Sequence, residues 1–259
     1  MSFFRQLLLR AGYTYDRVPP REEILEVIDL LKPRDVGHEL IRIGGDGDGG
    51  YLVPDDLEGL VGCFSPGVST TADFEEMLAA RYGIRSYLAD YSVDEPPQVS
   101  EMMEFDKKYL GVVNDDVYMR LGDWVDSKVG PEGDLLLQMD IESSEYPVLV
   151  DAAPELLRRF RIIVIEFHAL QQMFARRSLN LMQGIFRKLA NDFTVAHAHP
   201  NNHRQVYHHA GIEIPVNLEI TLLRNDRVRP GDRVLTFPHP LDRPNVPGKE
   251  DVVLPEAWR

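Results

Sequence analysis

The sequence predicts an α/β fold built on one doubly wound, mostly parallel sheet. Two observations carry that expectation. Uninterrupted apolar runs, the mark of strands buried on both faces, alternate with segments of helical period through most of the chain. Several of those runs also end abruptly on polar side chains, and open parallel sheets bind ligands just beyond the carboxyl ends of their strands. The clearest case is Asp134 to Glu145, Asp-Leu-Leu-Leu-Gln-Met-Asp-Ile-Glu-Ser-Ser-Glu, where Leu135 to Met139 lead straight to Asp140.

The chain is 259 residues long, enough for one large domain or two small ones, and its composition shows no break favouring two. A formal charge of −14 and the lack of a dense Lys/Arg run argue against a nucleic-acid partner, whose phosphates would be repelled. Cys63 is the single cysteine, so no internal disulfide can form and a reducing, cytoplasmic setting is expected. No apolar run approaches the roughly 20 residues that span a bilayer. Phe3, Phe4, Leu7, Leu8 and Leu9, with Arg5 and Arg10, make too short a core for a secretory signal. A docked helix is the expectation there, with an interfacial anchor as the alternative.

Taken in order, apolar residues from Ile24 to Leu31 follow a helical period that Pro33 stops. Gly44 to Gly50 holds five glycines in seven residues, which suits positive φ and close backbone approach, and ordered Tyr51-Leu-Val follows at once. Leu60 to Phe64 reads as a strand, Ser65-Pro-Gly-Val-Ser69 as a turn, and Thr70 or Thr71 as the cap of a helix with Phe74, Met77, Leu78 and Tyr82 inside. Ile84 to Ala89 is the next strand, ending in Asp90-Tyr91. The spacing from Gly67 to Asp90 is close to the roughly 20 residues between a nucleotide-binding turn and a ribose-binding carboxylate. Short strands follow between Tyr109 and Met119, then Leu121 to Val125, the Leu135 strand, and a helix over Tyr146 to Phe160. Arg161 to His168 is another doubly buried strand, Leu181 to Leu189 an amphipathic helix, and Phe193 to His199 and Leu218 to Leu223 the last two strands. Residues 1–39 thus form an N-terminal helical segment, 40–225 the sheet domain, and 226–259 an arm carrying six of the eighteen prolines. That arm is expected to lie on its own domain or on a neighbouring subunit, making a homo-oligomer.

Side chains two apart in an extended chain point the same way. Asp140 with Glu142, Glu166 with His168, and His197 with His199 are three such pairs at three strand ends. Five of the eight histidines fall between His197 and His209. His203, His208 and His209 read as solvated loop residues, and His38 and His239 as structural. His197 and His199, beside Asn201 and Asn202, include at least one functional group. His168 divides evenly between a core and a catalytic reading. Carboxylate, imidazole and amide donors together would suit Mg²⁺ or Mn²⁺ if oxygens dominate, and Zn²⁺ if two histidines do.

Arg42-Ile-Gly with Asp48-Gly-Gly-Tyr51, Phe64-Ser-Pro-Gly-Val-Ser69, Leu135 to Glu145 and His199-Pro-Asn-Asn202 together resemble the FkbM-like and related S-adenosylmethionine-dependent methyltransferases. The likeness runs over about residues 40 to 224, with Ser143 standing where a glycine is usual. It implies a Rossmann-like class I methyltransferase fold, a seven-stranded mostly parallel sheet with helices on both faces and the Leu218 strand reversed. It implies O-methylation, often of a sugar hydroxyl in a glycan or glycosylated metabolite. By position it sets Ser65, Gly67 and Ser69 against the methionine part of S-adenosylmethionine, and Asp90, next to Tyr91, on the ribose. Asp123 and Trp124 would frame the adenine, Asp48 and Tyr51 would close the pocket, and Asp140 would face the sulfonium. His168 or His199 would be the base, or Asp140, Glu166 and His168 would hold a divalent metal, as acidic and amide groups do in catechol O-methyltransferase.

Two other classes remain beside this one. A nucleotide-sugar or NAD-linked oxidoreductase would use a similar sheet, but the first turn is poor in the glycines that cradle a pyrophosphate. A binding protein that has lost catalysis would have little use for three acid and histidine pairs.

Overall fold

The computed structural model describes the chain except residues 1, 2, 11, 13, 14, 69, 70, 99 and 230, and the side chains of 3–5 and 9. Ser69 and Thr70, singled out above, lie outside the described residues. Helices α1 (Phe3–Arg10) and α2 (Arg21–Asp29) lead to the hairpin β1 (Leu40–Ile43) and β2 (Tyr51–Pro54), whose connection is the glycine-rich loop. Then follow β3 (Gly62–Pro66), α3 (Asp73–Tyr82), β4 (Ser86–Ala89), β5 (Met103–Asp106), the short β6 (Tyr109–Gly111) and β7 (Tyr118–Arg120), and α4 (Leu121–Lys128). The second half runs β8 (Leu135–Met139), α5 (Glu145–Asp151), α6 (Pro154–Leu157), β9 (Phe160–Phe167), α7 (Arg176–Asp192) and β10 (Phe193–Pro200). The hairpin β11 (Val206–His209) with β12 (Ile212–Pro215) and the strand β13 (Leu218–Arg224) complete it.

Seven strands make the main sheet, in the order β10-β13-β9-β8-β3-β4-β5. β3, β4, β5, β8 and β9 run parallel, and β13 lies antiparallel between β9 and β10. The fold is therefore α/β with a mixed, mostly parallel sheet. Its inner strands are apolar because both faces are covered: every residue of β8 and β9 is buried. One face packs on α2, α4, α5 and α7, the other on α3 and the β1–β2 hairpin.

Several boundaries differ from the sequence expectation. Pro154 splits the helix expected over Tyr146 to Phe160 into α5 and α6, because a proline lacks the N–H that a continuous helix needs. Ala72, not a threonine, stands at the N-cap of α3, with no side-chain cap. β5 is partly exposed at the sheet edge and so lacks the apolar run that marks its neighbours. The arm lies on its own domain: Trp258, fully buried, donates its Nε1–H to Glu213 O at 2.9 Å. Among the described residues no helix is long and apolar enough to cross a membrane.

Successive connections leave β3 and β8 toward opposite edges of the sheet, so a crevice opens beyond their carboxyl ends. The Pro66-Gly67 turn and Asp140 meet there.

Candidate active site

Gly67 fixes the local geometry. Its φ is +91°, its N–H donates to Ala89 O at 2.9 Å, and Asp140 N–H donates to Pro66 O at 3.3 Å. A Cβ on Gly67 would stand 1.7 Å from Asp140 O. Only glycine lets the two strand ends come this close. Gly67→Ala is expected to displace Asp140, to cost about 1–3 kcal/mol in backbone strain, and to weaken any ligand bound there by at least about tenfold. Thermal unfolding alongside ligand titration reads both effects.

A cavity of about 480 Å³ opens beside this contact, lined by Asp48, Gly67, Asp90, Tyr109, Tyr118 and Asp140 among others. That volume falls in the roughly 300–1,000 Å³ range of small-molecule sites. A smaller cavity of about 210 Å³ shares Asp48, Gly67 and Asp140 with it and adds Tyr51, Thr71 and Gln138. Asp90 accepts from Ser92 N and Ser92 Oγ, both at 2.7 Å, through one carboxylate oxygen. Tyr91 is partly exposed and tilts against Tyr109, which in turn tilts against Tyr118, at centroid distances of 5.4 and 6.0 Å. A wider groove of about 1000 Å³ between α2 and Glu213 contains none of the expected site residues.

The structure moves three expected cofactor residues away from the cavity. Trp124 is buried in the core, edge-on to Phe64 at 4.9 Å, with its indole N–H donating to Asp106 Oδ2 at 2.9 Å. Asp123 is turned to Asn114 at 2.6 Å and Arg120 at 3.7 Å on the outer surface. Tyr109 and Tyr118 hold the aromatic side of the cavity in place of Trp124. Ser65 is fully buried and points beneath the turn, between Glu75 and Gln138 Oε1, while Gln138 Nε2 donates to Tyr51 Oη at 3.3 Å. Its single O–H cannot serve two acceptors. Burial raises the Glu75 carboxyl above its usual range, and when that carboxyl carries its proton it donates to Ser65, which donates to Gln138. This chain props Tyr51 and the floor of the smaller cavity.

On the other side of Asp140, carboxylates and histidines from β9, β10 and β13 converge. His168 Nε2 lies 3.5 Å from Asp140 Oδ1, 3.6 Å from Glu166 Oε1 and 3.7 Å from Glu142 Oε2. Behind the ring, Nδ1 stands 3.4 Å from Glu145 Oε1 without a formed hydrogen bond, and Glu145 Oε2 is buried without a partner. The His168 backbone is anchored instead: its N–H donates to Glu145 Oε1 at 2.8 Å, and its carbonyl accepts from Tyr146 Oη at 2.6 Å. Glu166 accepts from Asn201 Nδ2 at 3.1 and 3.2 Å and from Asn217 Nδ2 at 2.9 Å. Glu142 and Ser143 have φ of +51° and +74°, and Ala169 +55°, so two strand ends carry strained backbone at this edge.

The electrostatics follow from burial. Burial pushes Asp140 up to about 7 against the pull of His168. Glu166 rises to about 8, through burial and then the neighbouring Asp140 and Glu219. Burial alone would lower His168, but Glu145, Glu166 and Asp140 outweigh it and carry the ring to about 9. Asp140, Glu166 and His168 hold donor atoms within 4.8 Å of one another.

His199 belongs elsewhere. It is buried between Glu219 Oε2 at 3.4 Å and Asp251 Oδ1 at 3.1 Å, and those acids outweigh burial and raise it to about 10. An imidazolium held that firmly takes up no proton near neutral pH, so His199 acts as a strut between β13 and the arm, not as the base. His197 makes a second strut to Asp242 at 2.9 Å. Sequence reasoning overlooked Glu219, although a charged residue inside an apolar strand was its signal. It also overlooked Tyr109, Tyr118 and Glu145 as site residues. No protein-family model matches the chain, and no curated protein matches it.

Proposed function

We propose that the chain is an S-adenosylmethionine-dependent O-methyltransferase acting on a sugar hydroxyl of a glycan or glycosylated metabolite. One observation carries the reading: a nucleoside-sized cavity runs from the aromatic pair Tyr109 and Tyr118 past Asp90 to Gly67 and Asp140. Support also comes from the sheet, whose last strand alone among its seven described strands is reversed, as the sequence resemblance implies. Asp90 would accept the ribose hydroxyls, the two tyrosines would take the adenine, and the Gly67 turn and Asp48 would flank the amino-acid end. The aromatic ladder and the Asp90 carboxylate on the cavity wall suit that ligand better than a pyrophosphate, which needs a richer glycine turn.

A sugar hydroxyl is a weak nucleophile, so its proton must be taken as the new O–C bond forms. Asp140, raised by burial, lines the cavity beside the Gly67 turn and receives that proton. Glu166 and His168 hold Asp140 in place and spread the added charge. The same three residues fit a divalent cation: two carboxylates and an imidazole within reach, with Glu145 behind the ring nitrogen that faces away, the usual support of a metal-bound histidine. Such an ion would supply a Lewis acid that lowers the pKa of the acceptor hydroxyl.

Cation binding there has a predicted pH dependence. Below about 7 the carboxyls and the imidazole carry protons that block ligation; rising pH removes them, so affinity for Mg²⁺ or Mn²⁺ strengthens from about pH 6 to 9. Calorimetry in buffers of differing ionisation enthalpy should show protons released on binding.

Titration calorimetry with S-adenosylmethionine, S-adenosylhomocysteine and NAD tests the functional reading. Both sulfur compounds are expected to bind, and Asp90→Ala to weaken them by about 10- to 100-fold, the scale of a charged hydrogen bond. Binding of NAD with no heat from either sulfur compound would replace methyl transfer with the oxidoreductase reading.

A further inference from the structure

We propose that Glu166 is shared between two divalent-cation sites, the second formed by Asp48, Glu219 and the side-chain oxygen of Asn245. Donor atoms of Asp48, Glu166 and Glu219 lie within 4.8 Å of one another, as do those of Asp140, Glu166 and His168. Glu166 is common to both sets and is 2% exposed. Adjacent strands bring the acids together: Glu219 of β13 lies directly opposite Glu166 of β9, so both side chains leave the same face. Asp48 comes from the glycine-rich loop, which Arg42 holds by donating to Gly45 O at 2.8 Å and Gly47 O at 3.0 Å.

The independent observation is Asn245, from the C-terminal arm. It is 5% exposed, and its Nδ2 is wedged between Glu219 Oε1 and Asp48 Oδ1, the latter at 3.3 Å. Its Oδ1 is buried with no hydrogen-bond partner among the described residues. A half-turn of the amide exchanges these two atoms and offers Oδ1 to whatever lies between the carboxylates. An acceptor left unsatisfied at an acidic cluster is the arrangement a cation would complete. Four carboxylates, Asp48, Asp140, Glu166 and Glu219, gather here against His168, which faces Asp140 and Glu166, Arg42, whose charge reaches Glu219, and His199, which is divided between Glu219 and Asp251. The second donor set is all oxygen and suits Mg²⁺, Mn²⁺ or Ca²⁺. A carboxylate between two ions is the arrangement of two-metal sites, in which the ions stand about 3.5–4 Å apart.

The first of the two sites is the cation site proposed above for Asp140, Glu166 and His168, and both sites are tested with the metal alone. The full chain, stripped with chelator, is titrated with MnCl₂ while electron paramagnetic resonance reads free and bound Mn²⁺. Two ions per chain are expected, with spin coupling appearing as the second binds. Glu219→Gln and Asp48→Asn should each leave one ion, and Asn245→Ala should weaken the second by about tenfold or more. One ion or none in the unchanged chain, or two in both carboxylate variants, would overturn the proposal. Should Glu219→Gln fail to fold, Asp48→Asn decides, because Asp48 sits on an exposed loop. A parallel titration with S-adenosylhomocysteine keeps the outcomes apart, since that ligand can bind whatever the ion count.

Discussion

His168→Ala is expected to lower methyl transfer by about 10- to 100-fold, the range of a lost supporting partner, while S-adenosylhomocysteine still binds. The separation follows from position. His168 is absent from the cavity lining, where Asp90, Tyr109 and Tyr118 stand. Its Nε2 instead faces Asp140 and Glu166, the groups proposed to meet the acceptor and a cation. The fold should tolerate the change, because the bonds from Glu145 and Tyr146 go to the His168 backbone and survive it. A companion variant, Glu145→Gln, keeps the shape and removes the charge behind the ring. It should weaken cation binding by about 10- to 100-fold and activity less than His168→Ala does. Steady-state rates with and without added Mn²⁺, together with cofactor titration, read both variants. Full activity in His168→Ala would remove the acceptor-side role assigned to this cluster.

Trp258→Ala should have the largest effect on stability, about 3–5 kcal/mol, the cost of removing a fully buried large aromatic. The side chain is 0% exposed, packs in the same core as α2 and α7, and satisfies its indole N–H on Glu213 O. It pins the end of an arm that Leu254, buried in the same core, and a set of polar contacts also hold. Asn202 Oδ1 accepts from Val246 N at 2.7 Å, Asp242 meets His197, and Asp251 meets His199. Loosening the arm therefore also removes Asn245 and Asp251 from the site, so activity should fall with stability. Urea unfolding measures the first effect; a loss under about 1 kcal/mol would mean the arm is held elsewhere.

The strand and carboxylate at the centre of the site were legible in the sequence because burial on both faces leaves an unbroken apolar run. Leu135 to Met139 has the bounds expected, and Asp140 stands at its end. Glu166 and His168 were readable for the same reason. What failed was direction. Ser65 occupies the right turn, but the strand aims its side chain under α3 to Glu75, and no pattern in Ser-Pro-Gly reveals that. Trp124 was placed by position alone, while one helical turn carries it into the core against Phe64. Tyr109 and Tyr118 reach the cavity through a short parallel pair outside the main sheet; the short strands were expected, but periodicity does not reveal that they pair with each other or where their tyrosines point. His199 looked like a base because its partners, Glu219 and Asp251, come from segments 20 and 52 residues away.

A crystal structure of the chain with S-adenosylhomocysteine tests the central claim most directly. The ligand is expected in the cavity between β3, β4 and β8, its ribose hydroxyls on Asp90, its adenine against Tyr109 or Tyr118, and its sulfur facing Asp140. Ligand bound in the groove beside α2, or a cavity that stays empty at saturating ligand, would contradict it.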